Sequence, residues 1–221
     1  MVTCKRTTEA LRTVQGVLDN LDYPQEKRGW YISDDGSPFT HTDTLLNLLV
    51  RNGEYIIGYH SERFRHKGQE DSFHAGIGWN KCLGLCHQWS DFVLWLEDDW
   101  VLENRLDPKK HIQLLAERDD VGLLSYRILS IGCNVHTVGW GGEIYLKYLR
   151  DTQYAYSGNP YIRHARFTKA YGWFKEDENP GNMELKMDDA YRLGEGPDIW
   201  RPYNMSQWGA FSHVGTEKSW S

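Results

Sequence analysis

Short apolar runs alternate along the first 125 residues with segments whose apolar residues recur at helical spacing. The apolar runs predict strands at residues 2–4, 30–33, 54–60, 92–96 and 121–125. The helically spaced segments predict one helix that begins at a capping Thr7 or Thr8 and reaches Leu21, and further helices at residues 44–52, 76–89 and 108–117. This alternation predicts an α/β fold, a doubly wound and mostly parallel sheet.

After about residue 125 the pattern is less regular, with many glycines, tryptophans and tyrosines and shorter periodic runs. Within it, the composition of residues 183–193 favours a helix. We predict a single domain over residues 1–221, in which residues 126–221 form a less regular half that covers the carboxyl ends of the strands in residues 1–125.

Composition and charge exclude several classes of protein. Of the 221 residues, 40% are hydrophobic and 25% are charged, which is typical of a globular domain and not of a disordered chain. The net charge of -6 gives no general attraction to phosphate backbones, so non-specific nucleic-acid binding is not expected.

The cysteines and the apolar content bear on location. The four cysteines form no C-x-x-C pair, so we expect free thiols rather than a zinc site. No stretch approaches the roughly 20 apolar residues of a membrane helix, and the first residues lack the apolar core of a signal peptide. We therefore expect a soluble, cytoplasmic protein that does not contact a membrane.

Two acidic clusters directly follow predicted strands, and these carry the candidate chemistry. Glu97, Asp98 and Asp99 follow the strand at 92–96, where like charges raise one another's pKa unless a positive group lies nearby. A divalent cation that bridges carboxylate and phosphate oxygens would offset this repulsion. Asp34 and Asp35 follow the second strand, at the same rim of a parallel sheet. The alternative for each cluster is a solvated turn.

Four segments, at residues 2–6, 31–37, 78–84 and 94–99, resemble in order the successive blocks of the GT-A glycosyltransferases of family 2 type. The resemblance covers nearly the whole chain and implies a nucleotide-sugar donor, with UDP as the expected nucleotide, and bound Mn²⁺ or Mg²⁺. The Glu97-x-Asp99 element resembles the DXD motif of that family, so the resemblance implies metal binding by Asp99 and Glu97. A late histidine, His213, resembles the one that completes metal coordination in such enzymes.

The same resemblance implies the residues of the donor pocket and of the acceptor side. The donor-binding residues would be Thr3, Arg6, Asp34, Asp35, Asn80, Lys81 and Asp98, with Asp98 facing the ribose or the sugar. Residues 158–167 and 171–174 are similar to the acceptor-side block, which precedes the acidic motif that supplies the base. The candidates for that base are Glu184, Asp188 and Asp189, and Arg192, one helical turn beyond Asp189, favours Asp189 in an inverting single displacement.

Two other functions stay open at this point. A nucleotidyltransferase shares the doubly wound plan, but it would be expected to carry a glycine-rich loop after the first strand, where this chain has Lys5-Arg6-Thr7-Thr8. A catalytically inactive nucleotide-sugar-binding module is the other alternative. The acceptor is open between a glycan, a protein, a small molecule and a hydroxymethylated pyrimidine in DNA.

Overall fold

The computed structural model of the chain describes residues 1–61, 75–126, 133–176, 178–203 and 210–215. The strands are β1 (Val2–Thr3), β2 (Trp30–Asp34), β3 (Ile56–Ser61), β4 (Phe92–Trp95), β5 (Trp100–Leu102), β6 (Val121–Ser125), β7 (Val135–Trp140), β8 (Glu143–Tyr148), β9 (Tyr161–His164), β10 (Asp198–Pro202) and β11 (Phe211–His213). The helices are α1 (Thr7–Asn20), α2 (Phe39–Arg51), α3 (Ala75–Trp89), α4 (Lys109–Glu117), α5 (Ala165–Tyr171) and α6 (Pro180–Leu193).

The described strands form three sheets. β1, β2 and β3 pair in parallel, in the order β1-β2-β3. The amide of Val2 donates to the carbonyl of Leu96 at 2.9 Å, which links β1 to the end of β4. The six-stranded sheet has the order β4-β9-β6-β10-β8-β7, and β5 pairs separately with β11. The predicted α/β class with a doubly wound, mostly parallel sheet is confirmed, and the pairs made by β8 and by β9 are antiparallel.

Two helix starts differ from the sequence prediction. Neither Thr7 nor Thr8 caps α1, because Arg6 occupies the N-cap position without a side-chain cap, and Thr7 is already helical. Helix α2 begins at Phe39 rather than near residue 44, because Pro38 has the φ of -55° that suits a helix start and lies directly before it.

Residues after 126 add β7, β8, β9 and β10 to the main sheet, which the periodicity did not predict. β9 lies between β4 and β6 and is antiparallel to both. β9 and β10 are short and almost wholly buried, so they have no alternation of polar and apolar residues for sequence analysis to detect.

The core lies on both faces of the sheet, and both halves of the sequence contribute to each face. Because successive strand residues point to opposite faces, Leu123 and Ile199 pack on one side, and Leu124 and Trp200 pack on the other. The strands that carry the acidic clusters, β2 and β4, are packed in the same way, with Ile32 and Leu94 on one side and Tyr31 and Trp95 on the other.

Two expectations concerning location and thiols can be compared with the structure. Within the described ranges, no helix has both the length and the apolar character to cross a bilayer. None of the four cysteines, all of them described, forms a disulfide.

Candidate active site

A cavity of about 200 Å³ opens at the carboxyl ends of β1, β2 and β4. Its lining includes eight of the residues predicted for donor and metal binding, namely Thr3, Arg6, Asp34, Asp35, Glu97, Asp98, Asp99 and His213. Parallel strands end at the same edge of a sheet, which explains why residues far apart in sequence meet here.

The turn between β1 and α1 holds Asp98 by one of its oxygens. Lys5 has a φ of 59°, which is unusual for a residue other than glycine. Lys5 directly follows Cys4, whose amide points to Asp98. The Cys4 amide donates to Asp98 Oδ2 at 2.8 Å, and the Thr3 hydroxyl donates to the same oxygen at 3.0 Å. Burial raises the pKa of Asp98 to about 6.

Asp99 lies beside two potential cations. The Arg6 guanidinium forms an ion pair with Asp99 Oδ2, and it lies 3.4 Å from Asp98 Oδ1. His213 Nε2 lies 3.1 Å from Asp99 Oδ2, because β11 pairs with β5 and places His213 opposite Trp100. The predicted proximity of Asp99 and His213 is therefore present in the structure, although 114 residues separate them.

The surroundings of Asp99 fit a divalent cation. Its Oδ1 atom is buried and has no hydrogen-bond partner among the described residues. Carboxylate and imidazole are common ligands of Mn²⁺, and Mg²⁺ is usually held by one or two carboxylates together with substrate phosphates. Gly215 leaves the site open, since a Cβ atom there would lie 2.5 Å from Asp99 Oδ2. In the part of the chain that the structure describes, no three His, Cys, Asp or Glu side chains converge as a complete metal cage.

Glu97 faces a different side of the cavity from Asp99. A Cβ atom at Gly158 would lie 2.5 Å from Glu97 Oε1 and closer still to Glu184 Oε1, so both carboxylates border the same glycine. Burial and the neighbouring Glu184 raise the pKa of Glu97 well above its usual range. The Glu97-x-Asp99 element thus divides between two parts of the site.

The three candidate bases on α6 have three different environments. Asp188 is buried and accepts from the amides of Tyr154 and Tyr156, each at 2.9 Å. Asp189 has a side chain 64% exposed and lies 3.6 Å from Arg192. Glu184, one turn before Asp188 on the same face, lies next to Gly158 and beside Glu97, which lines the cavity.

The second acidic cluster divides in a similar way. Asp34 is fully buried and accepts from the Ser37 amide at 3.0 Å and from the Ser61 hydroxyl at 2.5 Å. These contacts close the turn after β2. Asp35 follows it in the cavity lining.

The block at residues 78–84 contributes different residues from those predicted. Gly78 and Trp79 line the cavity. The Asn80 amide group instead donates to the Phe174 carbonyl at 2.9 Å and accepts from the Phe174 amide at 2.9 Å, which ties α3 to the segment after α5. Lys81 is exposed on α3.

Sequence analysis missed His41. It lies in the first turn of α2, 1% exposed, and its Nε2 atom is 2.8 Å from the Thr3 hydroxyl. Its proximity to Thr3 depends on the packing of α2 beside β1, which no local pattern reveals.

A second cavity, of about 390 Å³, runs beside β2 and β4. Apolar side chains such as Trp30, Leu94 and Trp95 dominate its lining. The paired carboxylates that suit phosphate and metal chemistry lie in the smaller cavity, which is therefore the candidate active site.

No family model and none of the curated proteins matches the sequence. Solved structures do match its fold. Residues 1–349 of S. aureus TarS in complex with UDP align with a TM-score of 0.60 and 16% identity, over 91% of this chain and 58% of that one. The same protein in complex with UDP-GlcNAc aligns with a TM-score of 0.58 and 16% identity, over 98% and 60%.

The mannosyltransferase PcManGT from Pyrobaculum calidifontis, in complex with GDP-Man and Mn²⁺, aligns with a TM-score of 0.53 and 12% identity, over 92% of this chain and 55% of that one. The chain spans between 55% and 60% of the length of these structures. At such identities the likeness concerns the fold alone, and the chain has the GT-A fold that its sequence predicted.

Proposed function

We propose that the chain is a metal-dependent glycosyltransferase that moves a sugar from a nucleoside-diphosphate sugar, with UDP as the expected nucleotide, to an acceptor hydroxyl. The observation that carries the proposal is the buried pair Asp98 and Asp99, since both line one cavity and each has different partners. Asp98 is held by the β1–α1 turn, whereas Asp99 faces His213.

The donor end of the cavity suits a nucleotide diphosphate. Thr3, Arg6, Asp35 and Asp98 line the part that would take the nucleoside, and the Arg6 guanidinium supplies positive charge for the phosphates. Asp99 and His213 would hold Mn²⁺ or Mg²⁺, and the chemistry that such a cation would supply is Lewis-acid stabilisation of the leaving diphosphate. The structural neighbours bound to UDP, UDP-GlcNAc, or GDP-Man with Mn²⁺ support this arrangement.

Glu184 is the base we propose. Its carboxylate is the one of the three that neighbours a cavity-lining carboxylate, Glu97, whereas Asp188 is occupied by two backbone amides and Asp189 lies on the exposed side of α6. In a single displacement, the acceptor oxygen bonds to the anomeric carbon as its proton passes to Glu184, and the bond from that carbon to the diphosphate breaks. The attack and the departure occur on opposite faces, so the reaction inverts the anomeric centre.

The acceptor classes predicted from sequence are a glycan, a protein, a small molecule and a hydroxymethylated pyrimidine in DNA. The overall charge of -6 disfavours a strongly anionic polymer, because counterion release drives most binding to nucleic acid. We therefore rank neutral hydroxyl-bearing acceptors ahead of DNA.

The donor is the first part to test. We expect Mn²⁺ together with UDP or a UDP-sugar to raise the melting temperature, since a ligand that binds only the folded state stabilises it. The test compares UDP, GDP and dTDP, each with Mn²⁺ and each in excess chelator. Equal melting temperatures in all conditions would contradict the donor assignment.

Turnover distinguishes the enzyme from an inactive binding module. We expect slow hydrolysis of the preferred nucleotide sugar in Mn²⁺ and none in chelator. Hydrolysis unaffected by chelator would contradict the metal assignment. Tight donor binding without release of nucleotide diphosphate, to water or to any offered acceptor, would instead indicate a binding module.

A further inference from the structure

Four side chains from different elements form a buried hydrogen-bonded chain behind the donor cavity. Thr7 Oγ1 lies 2.8 Å from His41 Nδ1, and His41 Nε2 lies 2.8 Å from Thr3 Oγ1. The Thr3 hydroxyl in turn lies 3.0 Å from Asp98 Oδ2. His41 is outside the cavity lining, so any effect it has on a ligand must pass through Thr3.

We propose that His41 is a positioning residue that orients Asp98 for recognition of the donor's ribose hydroxyls, an inference that rests on the proposed function. The family resemblance already implies that Asp98 faces the ribose or the sugar; the new element is the control of Asp98 by His41, a residue outside the cavity lining.

The direction of each hydrogen bond follows from the chemistry of the groups. A carboxylate only accepts, so the single proton of the Thr3 hydroxyl points to Asp98. The Thr3 oxygen must then accept from His41, which places a proton on Nε2. In the neutral imidazole Nδ1 accepts, and it does so from the Thr7 hydroxyl.

The surroundings of His41 favour that neutral form. Burial lowers the pKa of His41. Asp34 Oδ1, at 3.9 Å from Nε2, acts in the opposite direction. That carboxylate is already occupied by Ser37 and Ser61, which stabilise its charge without a proton from His41.

The hydrogen bonds from Thr3 and Cys4 use one oxygen of Asp98 and leave the other, Oδ1, turned towards the cavity for a ligand. Oδ2 accepts from both Thr3 and the Cys4 amide, so the carboxylate cannot rotate without breaking two hydrogen bonds. Oδ1 is turned towards the Arg6 side of the cavity, at 3.4 Å from the guanidinium. The hydroxyl groups of a ribose can donate to Asp98 Oδ1. Because Thr3 and the Cys4 amide fix the position of this acceptor, it should select a ligand that carries hydroxyls at the matching position.

The test measures how strongly the protein prefers a ribose with hydroxyls. Dissociation constants for UDP and for 2′,3′-dideoxy-UDP are measured by calorimetry with Mn²⁺, for wild type and for His41→Phe, His41→Gln and Thr3→Val. The exposed α2 variant Asn47→Ala is the matched control. A role limited to stability would change both constants together and leave their ratio unchanged.

We expect wild type to prefer UDP by about tenfold or more, the usual size of a buried hydrogen-bond contribution to a charged acceptor. His41→Phe and Thr3→Val each lose most of that preference. The double variant His41→Phe/Thr3→Val loses no more than either single variant, because both substitutions break the same series of hydrogen bonds. His41→Gln, which can still donate to Thr3, keeps most of it.

Three outcomes would overturn the inference. A folded His41→Phe that binds UDP with an unchanged preference would remove His41 from ribose recognition while leaving the donor assignment intact. If His41→Phe does not fold, an unchanged preference in Thr3→Val leads to the same conclusion. Wild type that binds neither nucleotide would overturn the proposed function, and the inference with it.

Discussion

Two pairs of adjacent aspartates, one after β4 and one on α6, differ in how the two side chains of each pair are placed. After β4 the chain turns sharply, and both Asp98 and Asp99 stay buried, at 5% and 6% exposure, within one cavity. On α6 successive residues are rotated by about 100°, so Asp188 is buried and Asp189 is exposed. Two adjacent carboxylates therefore lie in one cavity where they follow a strand, and lie in different environments where they are part of a helix.

The two regions also differ in what each carboxylate contacts. The pair after β4 lies against Arg6 and His213, groups that a phosphate or a cation can replace or join. Asp188 instead accepts from two backbone amides, which a ligand cannot displace without opening the loop at Tyr154 and Tyr156. The first region is arranged for ligand exchange and the second for support.

Asp99→Asn should produce the largest effect. The amide keeps the shape of the side chain but removes the charge that would hold Mn²⁺ beside the diphosphate. We expect transfer to fall by about a thousandfold at saturating donor and metal, with the melting temperature nearly unchanged. Initial rates of donor hydrolysis measure this. Glu103→Gln, an exposed carboxylate just after β5, is the matched control. A rate within a few-fold of wild type would contradict the metal site.

Glu184→Gln should follow, with a loss of transfer of about a hundredfold, because the amide cannot take the acceptor proton. Binding of UDP with Mn²⁺ should stay within a few-fold of wild type, since Glu184 is outside the cavity lining that holds the proposed donor contacts Thr3, Arg6 and Asp98. Turnover and calorimetric binding are measured separately on the same protein. Retained turnover would place the base elsewhere and would make Glu184 a structural neighbour of Glu97.

Asp188→Asn should affect stability more than chemistry. The amide nitrogen of Asn would face one of the two backbone amides, and two donors cannot bond each other. We expect the free energy of unfolding to fall by about 1–3 kcal/mol, measured by urea denaturation. Below its unfolding transition the variant should be more active than Glu184→Gln. Unchanged stability with lost turnover would give Asp188 a chemical role.

The sequence predicted the fold well where local patterns are strong. All five predicted strands and their intervening helices exist, since a continuous apolar run such as β4 and the helical spacing of apolar residues in α1 are both clear local signals. The strand-end aspartates could be placed as well, because the topology of a parallel sheet gathers them at one edge.

What the sequence did not predict depends on contacts between distant segments. The insertion of β9 between β4 and β6 follows from pairing across more than 30 residues of chain. His41 was missed because its partner Thr3 lies 38 residues away, in another element. A helix over residues 183–193 was predicted, but which of its carboxylates face the rest of the molecule depends on the loop that carries Tyr154 and Gly158.

Asp189→Asn should have the smallest effect and is the sharpest test of the comparison, since it changes the residue next to Asp188 in the same chemical way. Its side chain is 64% exposed, and its ion pair with Arg192, at 3.6 Å, is a surface contact. Such a pair contributes at most about 0.5 kcal/mol on a helix. We therefore expect transfer within about twofold of wild type, given that no proton transfer is assigned to this side chain, and an unchanged urea midpoint. A hundredfold loss with donor binding intact would return the base to Asp189, as the position of Arg192 in the sequence favours. It would also show that α6 turns a different face to the acceptor than the contacts of Asp188 and Glu184 require.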